Sequence, residues 1–327
     1  PQYCAEALND FTLRGDSPCR LAPGCGQVGA WGAACGFGSL TWVVRPDGTG
    51  DAPTIQAAID AALDGEVIEL TDGVFTGTGN RDIVFRGKEI TVRSQSGDPL
   101  TCIVDCEASA ADSHRGFSFV EGEGASTVLR DITIRNAYTH SSGGGVRVSG
   151  ASPTIENCRF IDGEAGDSGA GITFSHSSAV LRSCYFEGNR SANAGGAIHM
   201  NTASPTIESC VMVDNWANWG AGGMHVYVST PTVTGCTFNG NESAHWGGGL
   251  HADNITSAFL VEDCYFFDNL AAEGGAIFAR RDAAVQVNDC VIGNNEALTG
   301  DAALGKSGSS IAFHRSTLGS NGTDAGY

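Results

Sequence analysis

The sequence predicts an all-β fold, a single-stranded parallel β-helix (solenoid) of about 26 residues per coil. Three sets of residues recur in phase between residues 127 and 321. The first set is a glycine-rich block ending in an apolar residue, which begins at 143, 169, 195, 221, 247 and 274. A fixed period that independent sets of residues share is the signature of a repeat protein.

The second and third sets are a column of cysteines and a column of asparagines. The cysteines are Cys158, Cys184, Cys210, Cys236, Cys264 and Cys290. The asparagines are Asn189, Asn215, Asn241, Asn269, Asn295 and Asn321. We expect the cysteines to fill the core as small, unreactive thiols. Stacked asparagine amides would bond one another and the backbone at a bend.

One period, residues 195–215, reads GGAIHMNTASPTIESCVMVDN. Ile198 and Met200 alternate with His199, Cys210 and Met212 alternate with Val211, and a short extended run lies at 205–207. This alternation, between clusters of Gly, Ser, Asn and Pro, predicts three short strands and three turns per coil. Equivalent residues then stack about 4.8 Å apart. The inward apolar columns are Val146, Ile172, Ile198, Met224, Leu250 and Ile277, and Phe160, Phe186, Met212, Phe238, Phe266, Ile292 and Leu318.

The composition predicts a boundary near residue 40. Residues 1–40 are a Cys-rich extension, and 41–327 are the β-helix, with a cap at 42–65, irregular coils at 66–134 and regular coils at 135–321. In the cap, Thr54 can begin a helix that ends at Gly65. Its apolar face would cover the open end of the core and comprises Ile55, Ala58, Ile59, Ala62 and Leu63.

The extension contains Cys4, Cys19, Cys25 and Cys35, in a segment too small to bury a core of its own. We expect two disulfides among these four cysteines to stabilise the segment, and the sequence does not distinguish the three possible connectivities. A metal site is less favoured, because the segment has no Cys-x-x-Cys pair.

Two groups of motifs resemble known families. DGTGDAPTIQAAIDAALDG at 47–65, with DGVFTG at 72–77, resembles the N-terminal cap of pectin methylesterases and the wider pectate-lyase-like superfamily. FEGN at 186–189 before GGAI, and FNGN at 238–241 before GGGL, resemble repeats of chlamydial polymorphic outer-membrane proteins. These resemblances span about residues 42–321 and imply a right-handed parallel β-helix of an exported protein. That fold hosts enzymes, adhesins and fibres, so they imply little about function.

The catalytic signatures of the enzymes in that superfamily are missing from the sequence. The QAVAL and DFIFG stretches of pectin methylesterases and the NTD and GHG blocks of polygalacturonases do not occur. Acidic residues are scattered over many coils, whereas the calcium site of a pectate lyase needs a cluster. We therefore assign no catalytic residue, no metal site and no cofactor from the sequence.

One set of residues is a candidate ligand-binding ridge. His199, His225 and His251 each follow an inward residue of the first strand, so they form an outward column. Residues expected on the same side are Asn201, Tyr227, Asp253, Arg280, Trp216, Trp219, His245 and Trp246. Such imidazoles could share a metal and the indoles could stack on sugars. Repeat duplication, with bulky loop residues packed over the sheet, is the simpler interpretation.

Charge and hydropathy argue against two kinds of partner. The formal net charge of −19 disfavours nucleic acid. The sequence has no run of 18 apolar residues, so we expect no membrane insertion. Twelve cysteines with few lysines are typical of an exported protein, and we expect a secreted or cell-surface location.

The last regular coil is followed by no apolar helix, so its core cross-section would be exposed unless something covers it. We therefore expect a non-catalytic structural or adhesive protein that associates with itself head to tail, as a filament or surface layer. The alternatives are a polysaccharide-degrading lyase or hydrolase and a carbohydrate-binding β-helix with a polysaccharide partner.

Overall fold

The computed structural model describes residues 3–5, 10–13, 41–255 and 257–319. In these residues the strands form four parallel sheets and one antiparallel pair, Tyr3–Ala5 with Asp10–Leu13. Each parallel sheet runs along the solenoid and receives strands from successive coils, which confirms the predicted parallel β-helix. No helix in these ranges is long and apolar enough to cross a membrane.

The four parallel sheets follow one another within each regular coil. The first sheet contains Ile83–Val84, Phe117–Phe119, Val146–Ser149, Ile172–Ser175, Ile198–Asn201, Met224–Tyr227, Leu250–Asp253, Ile277–Arg280 and Ala303–Gly305. The second contains Thr41–Val44, Val67–Leu70, Thr91–Ser94, Val128–Arg130, Thr154–Glu156, Val180–Arg182, Thr206–Glu208, Thr232–Thr234, Phe259–Glu262, Ala284–Asn288 and Ser310–His314. The third contains Gly73–Phe75, Cys102–Asp105, Thr133–Arg135, Arg159–Ile161, Tyr185–Glu187, Val211–Val213, Thr237–Asn239, Tyr265–Phe267, Val291–Gly293 and Thr317–Leu318. The fourth contains Tyr138–Thr139, Glu164–Ala165, Arg190–Ser191, Trp216–Ala217, Glu242–Trp246, Leu270–Glu273 and Glu296–Ala297.

The fourth sheet corrects the prediction of three strands per coil. Its strands follow the asparagine column directly and are often only two residues long, as at Arg190–Ser191 and Trp216–Ala217. A two-residue strand is too short to show an alternation of period two, so the pattern could not reveal it. The three strands that the sequence predicts are all present.

The predicted apolar columns fill the interior of the solenoid. The first-strand column from Val146 to Ile277 is fully buried, and the phenyl rings of the third sheet stack between coils. The ring centroids of Phe160 and Phe186 lie 4.6 Å apart. Leu318 is the exception, because it is 38% exposed on the edge strand of the third sheet.

The asparagine ladder is confirmed for its five described members. The side-chain amides of the first four donate to Oδ1 of the asparagine in the next coil, at 2.8–3.0 Å. That same Oδ1 also accepts the backbone N–H of the preceding asparagine, as Asn215 does from Asn189 at 3.0 Å. The side-chain amide of Asn215 donates further to the carbonyl of Phe186 at 3.1 Å. Asn321 lies outside the described residues.

The cysteine column lies at the corner between the second and third sheets rather than within a strand. All six of its thiols are free and at most 1% exposed. The thiol of Cys210 donates to the carbonyls of Glu208 and Leu181, at 3.3 and 3.7 Å. Burial raises the pKa of the Cys184 thiol well above its ordinary value, as expected for an unreactive filler.

The remaining cysteines fall into two groups. Cys102 and Cys106 are free and buried. Cys19, Cys25 and Cys35 lie outside the described residues, as does the side chain of Cys4. The disulfides of the extension and the domain boundary therefore stay predictions.

The cap contains the predicted helix, although it is shorter than expected. Helix α1 spans Ile55–Ala61, and the Thr54 side chain accepts the N–H of Ala57 at its start. Lys88 Nζ donates to the carbonyls of Ile59, Asp60 and Ala62 at 2.7–2.9 Å, where the helix ends. The chain turns away at Ala62, so Leu63 is 50% exposed and does not belong to the apolar face.

Candidate functional site

The predicted histidine column is present on the outer face of the first sheet. His199 pairs in register with His225, which pairs with His251. The ring centroids lie 5.1 and 4.7 Å apart along the column. Thr173 precedes the histidines at the equivalent position and Phe278 follows them.

The column does not form an exposed ridge, because loops from the fourth sheet cover it. His225 is 8% exposed and His251 is 1% exposed. Gly220 joins the covering loops through bridges to Ala194 and Trp246. A Cβ atom on Gly220 would lie 2.9 Å from Nδ1 of His251, so only glycine lets the backbone approach so closely. The histidines are therefore the floor of a covered cleft.

The cleft has a volume of about 340 Å³. Nine of the eleven residues that the sequence placed on this face line it, namely His199, His225, His251, Asn201, Tyr227, Asp253, Arg280, Trp219 and Trp246. Trp216 and His245, which the sequence placed on the same side, are not among the lining residues. The structure thus brings the candidate residues together but replaces an open surface with a pocket.

The sequence interpretation missed several polar residues of the cleft. Asp167 and Asn193 line it beside Trp219, and the three are spaced 26 residues apart. That period was a usable signal, because it places one residue of each covering loop in a single column. Arg281 left no such signal, since it follows the strand Ile277–Arg280 in a left-handed turn with φ of 54°.

Neighbouring side chains stack on the two indole rings that line the cleft. The indole of Trp219 stacks on His245 at 4.1 Å but remains 45% exposed. The guanidinium of Arg280 lies 3.9 Å from the centroid of the Trp246 ring. Trp219 consequently offers the cleft an accessible aromatic surface, whereas Trp246 is held as a wall by Arg280.

The carboxylate of Asp253 is the centre of a buried charge cluster. It is 2% exposed and accepts from Nε and a terminal nitrogen of Arg281, at 2.6 and 2.5 Å. Arg280 donates to the same carboxylate at 3.0 Å. Hydrogen bonding to Asp253 raises the pKa of Arg281. Two guanidiniums against one carboxylate leave a local excess of one positive charge.

The three imidazoles are uncharged at neutral pH. Burial lowers the pKa of His199 to about 4 and lowers those of His225 and His251 well below the ordinary 6.5. Nδ1 of His199 lies 3.0 Å from Nδ1 of His225, so one ring donates to the other. Neither ring nitrogen of His251 has a hydrogen-bond partner in the described part of the chain. Chemically, the floor offers neutral nitrogen lone pairs next to a neutralised carboxylate.

Comparison with known proteins supports the fold. The family model described as "Right handed beta helix region" matches residues 90–254 and 168–322. Among solved structures, ORF18 of Geobacillus virus E2 is similar at 11% identity and a TM-score of 0.51. That match covers 84% of this chain and 61% of the viral one.

Two further solved structures are a pectate lyase and a pectin methylesterase. Pectate lyase Pel9A is similar at 12% identity and a TM-score of 0.50, over 89% of this chain and 72% of the lyase. Pectin methylesterase from carrot is similar at 15% identity and a TM-score of 0.42, over 87% and 84% of the two chains. No curated protein sequence matches the chain.

At such identities, the two structures with TM-scores of 0.51 and 0.50 show a shared fold and nothing finer. The similarity to chlamydial outer-membrane repeats stays a prediction. The family model covers most of the solenoid, including every coil that carries a histidine of the cleft. The chain belongs to the right-handed β-helix family.

Proposed function

We propose that the chain is a non-catalytic adhesive protein of the cell exterior whose histidine cleft binds a saccharide. The observation that carries the proposal is the exposed indole of Trp219 beside amides and a guanidinium in one cleft. A sugar ring has apolar C–H faces and a hydroxyl rim, so it needs this combination of aromatic surface and polar groups. The regular solenoid would then serve as a rigid support for the cleft.

The volume of the cleft limits the ligand. Pockets for small molecules span about 300–1,000 Å³, and about 340 Å³ lies at the small end. One or two sugar rings fit such a space, whereas a longer chain would have to leave through the mouth. We therefore expect recognition of a chain end or a short branch.

The two carboxylates of the cleft support binding rather than hydrolysis. Asp253 is held by two arginines. Asp167 accepts hydrogen bonds from Ser142, Ser168 and Asn193, at 2.8, 3.2 and 3.0 Å. Burial alone would raise the pKa of Asp167, but these hydrogen bonds lower it. A glycoside hydrolase needs one carboxyl group that keeps its proton, and the environment of Asp167 opposes that role.

The test is binding and turnover measured on the same preparation. Calorimetric titration with oligosaccharides selected on a glycan array should show binding that Trp219→Ala weakens about tenfold. Trp216→Ala is the matched control, because that indole packs under Arg190 outside the cleft lining. Release of reducing ends or unsaturated products, or equal binding by the two variants, would contradict the proposal.

Head-to-tail self-association and an exported location are further parts of this proposal. A contact between two different ends of one molecule builds open filaments unless its rotation closes a ring. Sedimentation of the full chain over a range of concentrations, with electron microscopy of the same samples, tests head-to-tail self-association. A single monomeric species at high concentration would contradict it.

A further inference from the structure

His251 carries two buried polar atoms that nothing in the described structure satisfies. Both ring nitrogens are shielded from solvent and without a hydrogen-bond partner. A buried polar group left in this state destabilises a fold, and such groups are rare in native structures. This histidine therefore needs an explanation beyond packing.

The fold does not require a histidine at that position. Thr173 stands in the same column two coils before His225, and Phe278 and Leu304 stand there in the two coils after His251. An apolar ring such as that of Phe278 fills the equivalent space without orphaned nitrogens. Repeat architecture alone consequently does not account for an imidazole at the buried end of the column.

The neighbouring side chains supply a set of ligands. One potential ligand atom from each of His225, His251 and Asp253 lies within 4.8 Å of the others. Imidazole nitrogen with a carboxylate oxygen is a donor set that suits Zn²⁺, Cu²⁺ and Ni²⁺. Ca²⁺ is excluded, because it takes six to eight oxygen ligands.

We propose that the floor of the cleft binds one divalent transition-metal ion through His225 and His251, with Asp253 as the third ligand. The proposal goes beyond saccharide binding and does not depend on it. Metal binding also gives the rings of His225 and His251 a function, which saccharide binding at the mouth of the cleft does not.

The surrounding contacts resemble the outer shell of a metal site. If His225 donates from Nδ1 to His199, at the observed 3.0 Å, its Nε2 is left with a lone pair for the metal. Arg280 and Arg281 hold the carboxylate of Asp253 in one orientation.

Two features limit the affinity. Metal–nitrogen bonds of about 2.0–2.1 Å require the rings to rotate closer together than they now stand. The two arginines also place positive charge beside the ion. We therefore expect micromolar rather than picomolar binding, with Cu²⁺ bound more tightly than Zn²⁺.

The test is titration of the full chain, stripped with a chelator, with Zn²⁺ and Cu²⁺ in the absence of saccharide. We expect one ion per chain by calorimetry and an electron paramagnetic resonance spectrum of Cu²⁺ with coupling to two imidazole nitrogens. His225→Thr and His251→Phe should each weaken binding by about 10–100-fold. These substitutions copy residues of the same column, and thermal melting checks that the variants fold.

His140→Ala and His314→Ala are the matched controls, because both histidines are exposed and lie outside the cleft. Absence of binding, binding that folded His251→Phe retains, or binding that the controls lose would each overturn the metal site. Saccharide binding is scored separately on metal-free protein, so either proposal can fail without the other.

Discussion

The coil repeat builds both the asparagine ladder and the histidine column, yet the buried polar atoms of the two columns differ. Asn215 is fully buried, and its side chain makes hydrogen bonds to the coils on both sides. His251 is buried to the same degree, but its two ring nitrogens are unsatisfied within the described residues. A satisfied column is explained by the fold that it stabilises, whereas an unsatisfied one points to a ligand. Three measurements test this contrast, and a fourth adds the cysteine column.

The largest effect is expected when the ladder is interrupted. Asn215→Ala removes the side-chain acceptor of the Asn189 backbone N–H, one acceptor of the Asn189 side-chain amide, and the side-chain donor to the carbonyl of Phe186. We expect a loss of about 3–5 kcal/mol in the free energy of unfolding, measured in urea. Asn239→Ala, a partly exposed position outside the ladder, is the control. A loss below about 1 kcal/mol would mean that the ladder contributes little to stability.

Acidification should destabilise the fold through the histidine column. Unfolded histidine titrates near 6.5, whereas the pKa of folded His199 is about 4 and those of His225 and His251 are also lowered. Between these values the unfolded chain binds more protons, so the free energy of unfolding falls as the pH decreases from 6.5 towards 4.

We expect the column to contribute about 1–3 kcal/mol to this decrease in metal-free protein. Urea unfolding at pH 7.5 and pH 5 measures it. The variant with His199→Thr, His225→Thr and His251→Phe should lose less stability over the same range. The same pH dependence in both proteins would show that the column does not titrate as inferred.

A substitution in the histidine column should increase the free energy of unfolding, whereas one in the asparagine ladder should decrease it. His251→Phe removes two unsatisfied nitrogens and copies the residue of the next coil. We expect metal-free protein to gain about 1 kcal/mol, seen as a higher melting temperature. Saturating Zn²⁺ should reverse the order, because it stabilises only the wild type. Destabilisation of the metal-free variant would show that the imidazole is a packing residue.

The smallest effect is expected in the cysteine column. Ser316 stands at the cysteine position of the last described coil, and its hydroxyl donates to the carbonyls of Val287 and His314 at 3.0 and 3.1 Å. Cys210→Ser can make the equivalent bonds, so we expect a loss of about 1 kcal/mol or less. Chemical denaturation measures this loss. Rapid reaction of the native thiols with a mild reagent would contradict their buried, unreactive state.

Much of the fold was predictable because each coil repeats the constraints of the previous one. Gly195, Cys210 and Asn215 each stand in a column whose period is visible in the sequence. The fourth strand and the end of α1 were not predictable in this way. The former is too short to show a pattern, and the latter depends on Lys88, which lies 26 residues further along the chain than Ala62.

The sequence predicted which residues come together in the site, but not that they are buried or how they are paired. The period identified the three histidines and placed Trp219 and Trp246 near them. Their burial depends on bridges through Gly220, a tertiary contact that no local pattern encodes. The pairing of Arg281 with Asp253 likewise arises where the chain leaves a strand.

Because the coils stack in register, the gain or loss of a whole coil by mutation would change the number of histidines in the column. His199, His225 and His251 are related by shifts of one coil, and each coil is joined to the next by the same backbone hydrogen bonds. An in-frame tandem duplication of the 26 residues from 202 to 227 would insert one complete rung and add one imidazole to the row. The inter-strand spacing would place the new ring about 4.8 Å from its neighbour. Such a solenoid can acquire a longer row of ligands by unequal recombination, because the duplicated coil brings its own turns with it.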